Sequence, residues 1–283
     1  MSQLNPFLFY SPTTIEEAVD LYYKGPSSKL LSGGTFLINQ LRKIKKIGGR
    51  SPEAVISLKH IPGLNGIDQS DGKLTINAAT TLADIIDSDI VQDTLPILKQ
   101  MAQGIGTTPL QNMATIGGNL TCRYTWTELP SLMIAADATF HFINQDKKET
   151  TISAQDFFSG SAKTNFILTH VAIPAVKHLS LAYFRATRTQ AVDIPIINIC
   201  IAAQMQNQQF QNVRAVINNG NNFAARDVDI EKCLEGQAYD AAIINNLKEW
   251  LQKDMYTKRS DEYKTAMFEV GFKHCLSQIT KKK

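Results

Sequence analysis

The sequence is short of most features that would let one chain carry hard chemistry alone. It has only four cysteines, Cys122, Cys200, Cys233 and Cys275, among 283 residues. No two stand at C-x-x-C spacing, so neither an iron–sulfur cluster nor a structural zinc is expected within the chain. They read as buried thiols of a reducing compartment. The five histidines, His60, His141, His170, His178 and His274, form no H-E-x-x-H or related pattern, and no metal site is expected. Long apolar runs are also missing. The richest, "IPIINICIAA", is interrupted by Pro195 and Asn198 and falls well short of the roughly 20 residues a membrane helix needs. The opening "MSQLNPFLFYSP" has neither the basic leader nor the apolar stretch of a secretory signal, which points to a cytoplasmic protein. Strong charge is absent too. The net charge is +3, and the basic clusters "RKIKK" and "KKK" read as solvated surface. With no RNA-binding signature or helix-turn-helix pattern beside them, a nucleic-acid partner is not expected.

What is present is an ordinary globular composition, 43% hydrophobic and 19% charged, with length enough for two domains. "SPTTIEEAVDLYYKG" carries helix start and stop signals. "SKLLSGG" reads as a short buried strand entering a glycine turn, and "TFLINQLRKIKK" has helical spacing. "EAVISLKHI" and "KLTINAATTL" read as strands, and "LADIID" and "LPILKQMAQGI" as helices. "LPSLMIAADATFHFI" is a helix followed by a strand, and "NFILTHVAIP" a further strand. From Lys177 the composition shifts. Three strands, "LAYFRAT", "NICIAAQMQ" and "VRAVINNG", precede three helices, with "NNGNN" as a turn. The expected organisation is an N-terminal domain over 1–176, with subdomains of about 1–55 and 56–176, and a C-terminal α+β domain over 177–283.

Two glycine pairs stand out, in "KLLSGGTFLI" and "MATIGGNLT". Glycine admits positive φ and lets a ligand approach the backbone. Successive N–H groups in such a turn form an anion-binding nest, and a helix starting just after it adds its positive end. The first pair meets both conditions. The second meets the former, with Thr115, Asn119 and Thr121 adding polar groups. Two nests suit the two phosphates of a dinucleotide. Neither pair fits G-x-G-x-x-G or G-x-x-x-x-G-K-[ST], so a Rossmann or P-loop reading is disfavoured. A third pair, Gly48–Gly49, reads as a surface loop.

"KLLSGGTFLI" and "IGTTPLQNMATIGGNL" resemble the two FAD-binding motifs of the flavoprotein subunit of molybdenum hydroxylases, the family of the carbon monoxide dehydrogenase medium subunit and the xanthine dehydrogenase FAD part. The resemblance extends over nearly the whole chain, through "FLFYSPTTIEEAVDLY", "DFFSGSAKTNFILTHVAIP", "RDVDIEKCLEGQ" and "SDEYKTAMFEVGFK". It implies a two-subdomain FAD-binding fold of the vanillyl-alcohol-oxidase/PCMH type, followed by a small α+β domain with a three-stranded sheet plus helices. It also implies an electron-transfer role. Substrate is oxidised at a molybdenum centre on a large subunit, a 2Fe-2S small subunit relays electrons, and FAD passes them to NAD, oxygen or another acceptor. No catalytic acid or base is required of this chain.

The same resemblance supplies the candidate FAD contacts. Lys29, Leu30, Leu31, Ser32, Gly33, Gly34 and Thr35 match the first pyrophosphate loop, with Phe36 next to it. Thr115, Gly117, Gly118 and Asn119 match the second, with Leu110 and Ala114 before it and Thr121 and Cys122 after it. Ile167 and Leu168 match an apolar stretch near the flavin ring, and Arg185 a basic position near it. Glu128 stands where the family has aspartate. Several residues carry two readings: Glu128 as a flavin contact or a helix cap, Arg185 and Lys29 as cofactor contacts or surface charges, and Tyr124 and Trp126 as stacking or packing aromatics. Phe36 and "RYTW" (123–126) depart from the family pattern. No histidine or cysteine lies within either glycine motif, and Cys122 is poorly suited to a linkage, so FAD is expected to be non-covalent. The rival readings are a self-sufficient FAD reductase or oxidase and a scaffold subunit that has lost FAD.

Overall fold

A computed structural model describes residues 4–161, 166–176, 178–189, 192–218, 223–257 and 260–281. Three sheets organise the chain. The first is small and parallel: β1 (Leu8–Tyr10), β2 (Lys29–Leu31) and β3 (Ala54–Ser57), in the order β1-β3-β2. The central strand β3, Ala-Val-Ile-Ser, is buried along its whole length, as a parallel strand covered on both faces must be. It runs across the expected subdomain division near residue 55. The helix Ile15–Lys24 links β1 to β2. Thr14 caps it by accepting from the Glu17 N–H, and its buried Ala18 and Val19 face the sheet.

The second sheet is antiparallel, with β4 (Ile67–Ser70), β5 (Lys73–Asn77), β6 (Thr139–Ile143), β7 (Glu149–Ser153) and β8 (Ile167–Pro174) in the order β4-β5-β8-β6-β7. Alternation in β5 and β6 puts Leu74, Ile76, Phe140 and Phe142 inside. Rings of Phe140, Phe142, Phe157 and Phe158 then pack mainly edge to face. The opposite face of β8 and β6 meets the first sheet's surroundings through Ile167 and Ile143. β4 and β7 had no clear signal in the sequence. "IDQS" and "ETTIS" are polar edge strands on the rim, where propensity is weak and neighbours decide.

The third sheet is antiparallel, with β9 (Ser180–Ala186), β10 (Ile197–Gln206), β11 (Gln209–Asn218) and the two-residue edge strand β12 (Ala225–Arg226) in the order β12-β11-β10-β9. The three long strands are those expected, and β12 extends the sheet by one. The helix Glu262–Lys281 lies across β9 and β10, with Gly271 seated against Phe184 and Ile199. All residues of the turn "NNGNN" after Asn218 fall outside the described residues. Among the described residues, no helix is long and apolar enough to cross a membrane.

Candidate functional site

The first glycine pair meets the segment just before the second, backbone against backbone. A Cβ on Gly33 would overlap the Met113 carbonyl oxygen. The Thr115 hydroxyl donates to Ser32 Oγ at 3.0 Å. The first loop connects β2 to the helix Leu37–Lys46. Gly34 has φ +73°, a left-handed conformation that costs a side-chain-bearing residue about 1–2 kcal/mol. That turn leaves the N–H groups of Gly33, Gly34 and Thr35 without an acceptor among the described residues. Phe36 occupies the N-cap position and offers no side-chain cap, and the first helical turn holds no acid. The result is a helix N-terminus with open donors and uncompensated positive potential, suited to a phosphate.

The second pair is built differently from the nest expected. Neither Gly117 nor Gly118 has positive φ. Both lie in the first turn of a short helix, Ile116–Thr121, capped by Thr115 accepting from the Gly118 N–H at 3.1 Å. Gly117 is there for packing: its N–H donates to the Ala78 carbonyl at 2.9 Å, and a Cβ would sit 2.6 Å from that same oxygen. Gly118 is half-exposed. Beside it the Asn119 Oδ1 is buried without a partner, an uncompensated acceptor of the kind a bound ligand satisfies. The Thr121 hydroxyl is satisfied by the Gly117 carbonyl. Cys122 Sγ contacts the Asn119 carbonyl, and burial pushes its thiol pKa up.

The remaining candidates divide. Lys29 and Leu110 are exposed, Leu30 and Leu31 half-buried, and Ala114 and Thr115 buried. Ile167 and Leu168 are buried in two different cores, on opposite faces of β8. Glu128 is only 3% exposed and does not cap the helix Leu129–Ala135. It accepts from the Tyr183 hydroxyl, and Arg185 Nη1 lies 3.5 Å from its other oxygen. Burial raises the Glu128 pKa to about 7, while the Arg185 charge lowers it. Arg185 is no strand-edge charge either. Its Nη1 donates to the Gly104 carbonyl at 2.7 Å and its Nη2 to the Asp193 carbonyl at 2.8 Å, while Nε is buried without a partner. Tyr183 was missed in the sequence. It sits two residues before Arg185 on β9, hence on the same face, and that alternation was its only signal.

The two departures from the family pattern form one unit. Phe36 packs edge-on against Tyr124 at 4.5 Å between centroids, and Tyr124 meets Trp126 at 5.2 Å. Gln40 Nε2 reaches the Tyr124 hydroxyl at 3.5 Å. This aromatic ladder ties the start of the helix Leu37–Lys46 to the segment after the second glycine pair. Arg123 takes no part in it and lies over the Phe157 and Phe223 rings. A separate cleft of about 450 Å³, lined by Thr125, Phe158, Phe223 and Arg226 among others, shares no residue with the glycine loops. His141, Glu149 and His170, scattered in sequence, gather on the second sheet.

The loops fit an extended dinucleotide: open N–H donors on one side, an orphaned acceptor on the other, and backbone exposed at Gly34 and Gly118. Comparison with known proteins agrees. Residues 4–176 match the family described as "FAD binding domain in molybdopterin dehydrogenase", and residues 182–279 match "CO dehydrogenase flavoprotein C-terminal domain". The chain is 28% identical to the carbon monoxide dehydrogenase medium chain of Hydrogenophaga pseudoflava, over 96% of each chain. It is 25% identical to the xanthine dehydrogenase FAD-binding subunit of Escherichia coli O157:H7, over 73% of this chain and 71% of that one. A solved Hydrogenophaga pseudoflava carbon monoxide dehydrogenase superposes with a TM-score of 0.85 at 26% identity, covering 98% of both chains. Quinoline 2-oxidoreductase of Pseudomonas putida 86 shares the fold, with a TM-score of 0.87 at 19% identity. The chain belongs to the family of FAD-binding subunits of molybdenum hydroxylases.

Proposed function

We propose that this chain is the electron-transfer subunit of a molybdenum hydroxylase, holding FAD non-covalently between the loops 29–36 and 114–119. In this reading it receives electrons from a 2Fe-2S partner subunit and delivers them to NAD, oxygen or another acceptor, while a large subunit carries the molybdenum cofactor and oxidises the substrate. The observation that carries the reading is the meeting of the two glycine loops beside the uncapped helix Leu37–Lys46. The flavin, when bound, supplies the redox chemistry, and the protein's work is binding and orientation. Open N–H groups of Gly33, Gly34 and Thr35 hold phosphate oxygens in charge-assisted hydrogen bonds worth about 1.5–3 kcal/mol each. Asn119 offers its unpartnered oxygen to a ligand hydroxyl or amine. The ladder Phe36–Tyr124–Trp126 braces the start of the helix Leu37–Lys46 against the segment after the second loop.

The fit of the loops to a dinucleotide speaks against a scaffold that has lost FAD. Glu128, the acid with the most raised pKa near the loops, is enclosed by Tyr183 and Arg185, which gives no support to a self-sufficient oxidase. The test is direct. Acid precipitation of the purified yellow chain should leave all flavin in the supernatant. Co-purification from the native source should bring a cluster-bearing chain and molybdenum. A colourless chain that stays colourless with excess FAD overturns the flavin reading. A partnerless homo-oligomer that turns over a small molecule overturns the subunit reading.

A further inference from the structure

Three strands of the second sheet each contribute one metal-binding side chain to the same spot. His141 stands on β6, Glu149 on β7 and His170 on β8, and donor atoms of all three lie within 4.8 Å of one another. The topology makes this happen. β6 lies between β8 and β7, and His141 pairs in register with His170 on one side and with Thr151 on the other, one pleat from Glu149. Because Phe140, Phe142 and Val171 point into the core, their neighbours His141 and His170 point to the other face. A bulge at this point, between His141 and Phe142, shifts the β6–β8 register, a feature that commonly re-aims side chains beside sites.

The hydrogen bonds prepare the rings as ligands. The Thr169 hydroxyl donates its proton to the His141 carbonyl at 3.0 Å. Toward His170 Nδ1, 3.1 Å away, it is therefore an acceptor. That holds the His170 ring proton on Nδ1 and leaves the Nε2 lone pair free. His141 Nδ1 and Glu149 Oε1 lie 2.5 Å apart, so a cation entering between them would replace this hydrogen bond with two bonds to itself. The two rings stack at 4.0 Å with 18° between planes.

We propose that His141, Glu149 and His170 form a surface site for a borderline divalent cation of the zinc class, which staples β6, β7 and β8 together. Two imidazoles and one carboxylate suit zinc and disfavour magnesium, which prefers oxygen ligands. Two zinc–nitrogen bonds of about 2.0–2.1 Å in tetrahedral geometry require the stacked rings to swing out of parallel until their lone pairs converge, a side-chain rotation at a partly exposed surface. Three protein ligands leave a fourth position for water or for a side chain of a neighbouring chain. The proposal does not depend on the flavin reading, since none of the three residues belongs to the glycine loops.

The experiment uses the full flavin-loaded chain in a Cys233→Ser background, to remove an exposed thiol from competition for zinc. Equilibrium dialysis against zinc chloride should give one saturable site per chain, unaffected by millimolar magnesium. His141→Gln and His170→Gln should each weaken it at least about 10-fold. Saturating zinc should raise the parent's Tm by about 2–4 °C and leave that of a variant carrying both His141→Gln and His170→Gln unchanged. Glu149 has a side chain 55% exposed, so Glu149→Gln probes the site in a chain whose folding is not at risk, and it should weaken zinc by a similar factor. Zinc binding unaltered in all three variants, or no saturable site, overturns the proposal.

Discussion

The dipeptide Gly-Gly supports the two loops in opposite ways. In the first loop, Gly34 supplies a left-handed turn at φ +73° and Gly33 lets the Met113 backbone come close. The turn frees N–H donors at an open helix end. In the second, both glycines have ordinary helical conformations. Gly117 gives way to the Ala78 carbonyl, and Thr115 already accepts the Gly118 N–H. The first loop is thus an open donor surface, and the second a packed wall whose outer face is smooth at Gly118. Identical dipeptides reveal their function only through what surrounds them. Gly48–Gly49 makes the point again: Gly48 has φ +71° with nothing within 4 Å of a Cβ, and merely ends the helix Leu37–Lys46.

The largest effect should come from placing a methyl where the loops or their supports touch. Gly33→Ala drives a Cβ into the Met113 carbonyl, and Gly117→Ala drives one to 2.6 Å from the Ala78 oxygen. Both obstacles are backbone and cannot swing aside. Each variant should lose several kcal/mol of stability, the scale of overpacking and broken backbone pairing, and lose FAD with it. Thermal melts and flavin content of the purified variants decide this. A Gly33→Ala chain with parental Tm and full flavin breaks the account of loop contact.

The second loop region continues into the buried Glu128, and its effect is read through pH. Glu128 has a pKa raised from an ordinary 4.5 to about 7 by burial, against the pull of Arg185. Between these values the folded chain holds a proton that the unfolded chain has released. Stability from this group is therefore complete below about pH 4.5 and lost as pH rises through about 7, roughly 3 kcal/mol in all. Glu128→Gln has no such slope. The stability difference between parent and Glu128→Gln, followed by urea melts from pH 5 to pH 8, should move against the parent as pH rises. A difference independent of pH means that Arg185 keeps the carboxylate ionised throughout.

Much of this was legible in the sequence, and the gaps have physical causes. Long strands with buried alternation and capped helices show themselves locally, as Thr14 and "LAYFRAT" did. The polar edge strands β4 and β7 exist because neighbours offer hydrogen bonds, which no local pattern records. "SGGTF" was readable as a glycine turn entering a helix, and Gly34 and the helix Leu37–Lys46 form that turn. "TIGGN" was not readable as a helix start, since two glycines argue against helix and only the contact with Ala78 explains Gly117. Glu128 and Arg185 were readable as a charged pair of positions, yet not as partners, because 57 residues and a domain change separate them. The cluster of His141, Glu149 and His170 was invisible for the same reason: its spacing is set by strand register.

A smaller effect separates strain from ligand contact. Gly34→Ala and Gly48→Ala place a methyl at nearly the same left-handed φ, +73° and +71°. Both should cost about 1–2 kcal/mol. Only Gly34→Ala should also weaken FAD, because only there does the conformation present free N–H groups to the cofactor. Fluorescence titration of the flavin-stripped chains measures the two affinities. Equal FAD affinity in both variants means that the first loop does not carry the phosphates.

The smallest change in stability, and the sharpest test of the second loop, is Gly118→Ala. The residue is half-exposed, its φ is negative, and a Cβ would meet only the Thr115 hydroxyl at 3.0 Å. Replacing a helical glycine by alanine gains about 0.5–1 kcal/mol, and the tight contact with Thr115 offsets much of it. The net change should stay within about 0.5 kcal/mol, ordinary for a surface position. The FAD site is another matter. If the cofactor lies over this smooth face, the methyl holds it away from the Asn119 oxygen and the neighbouring loop. Affinity should then fall by about 10-fold or more, the equivalent of one lost hydrogen bond to a charged group, while the Tm stays with the parent. An unchanged affinity would show that the second glycine pair serves packing alone, leaving the first loop as the sole glycine contact with the cofactor.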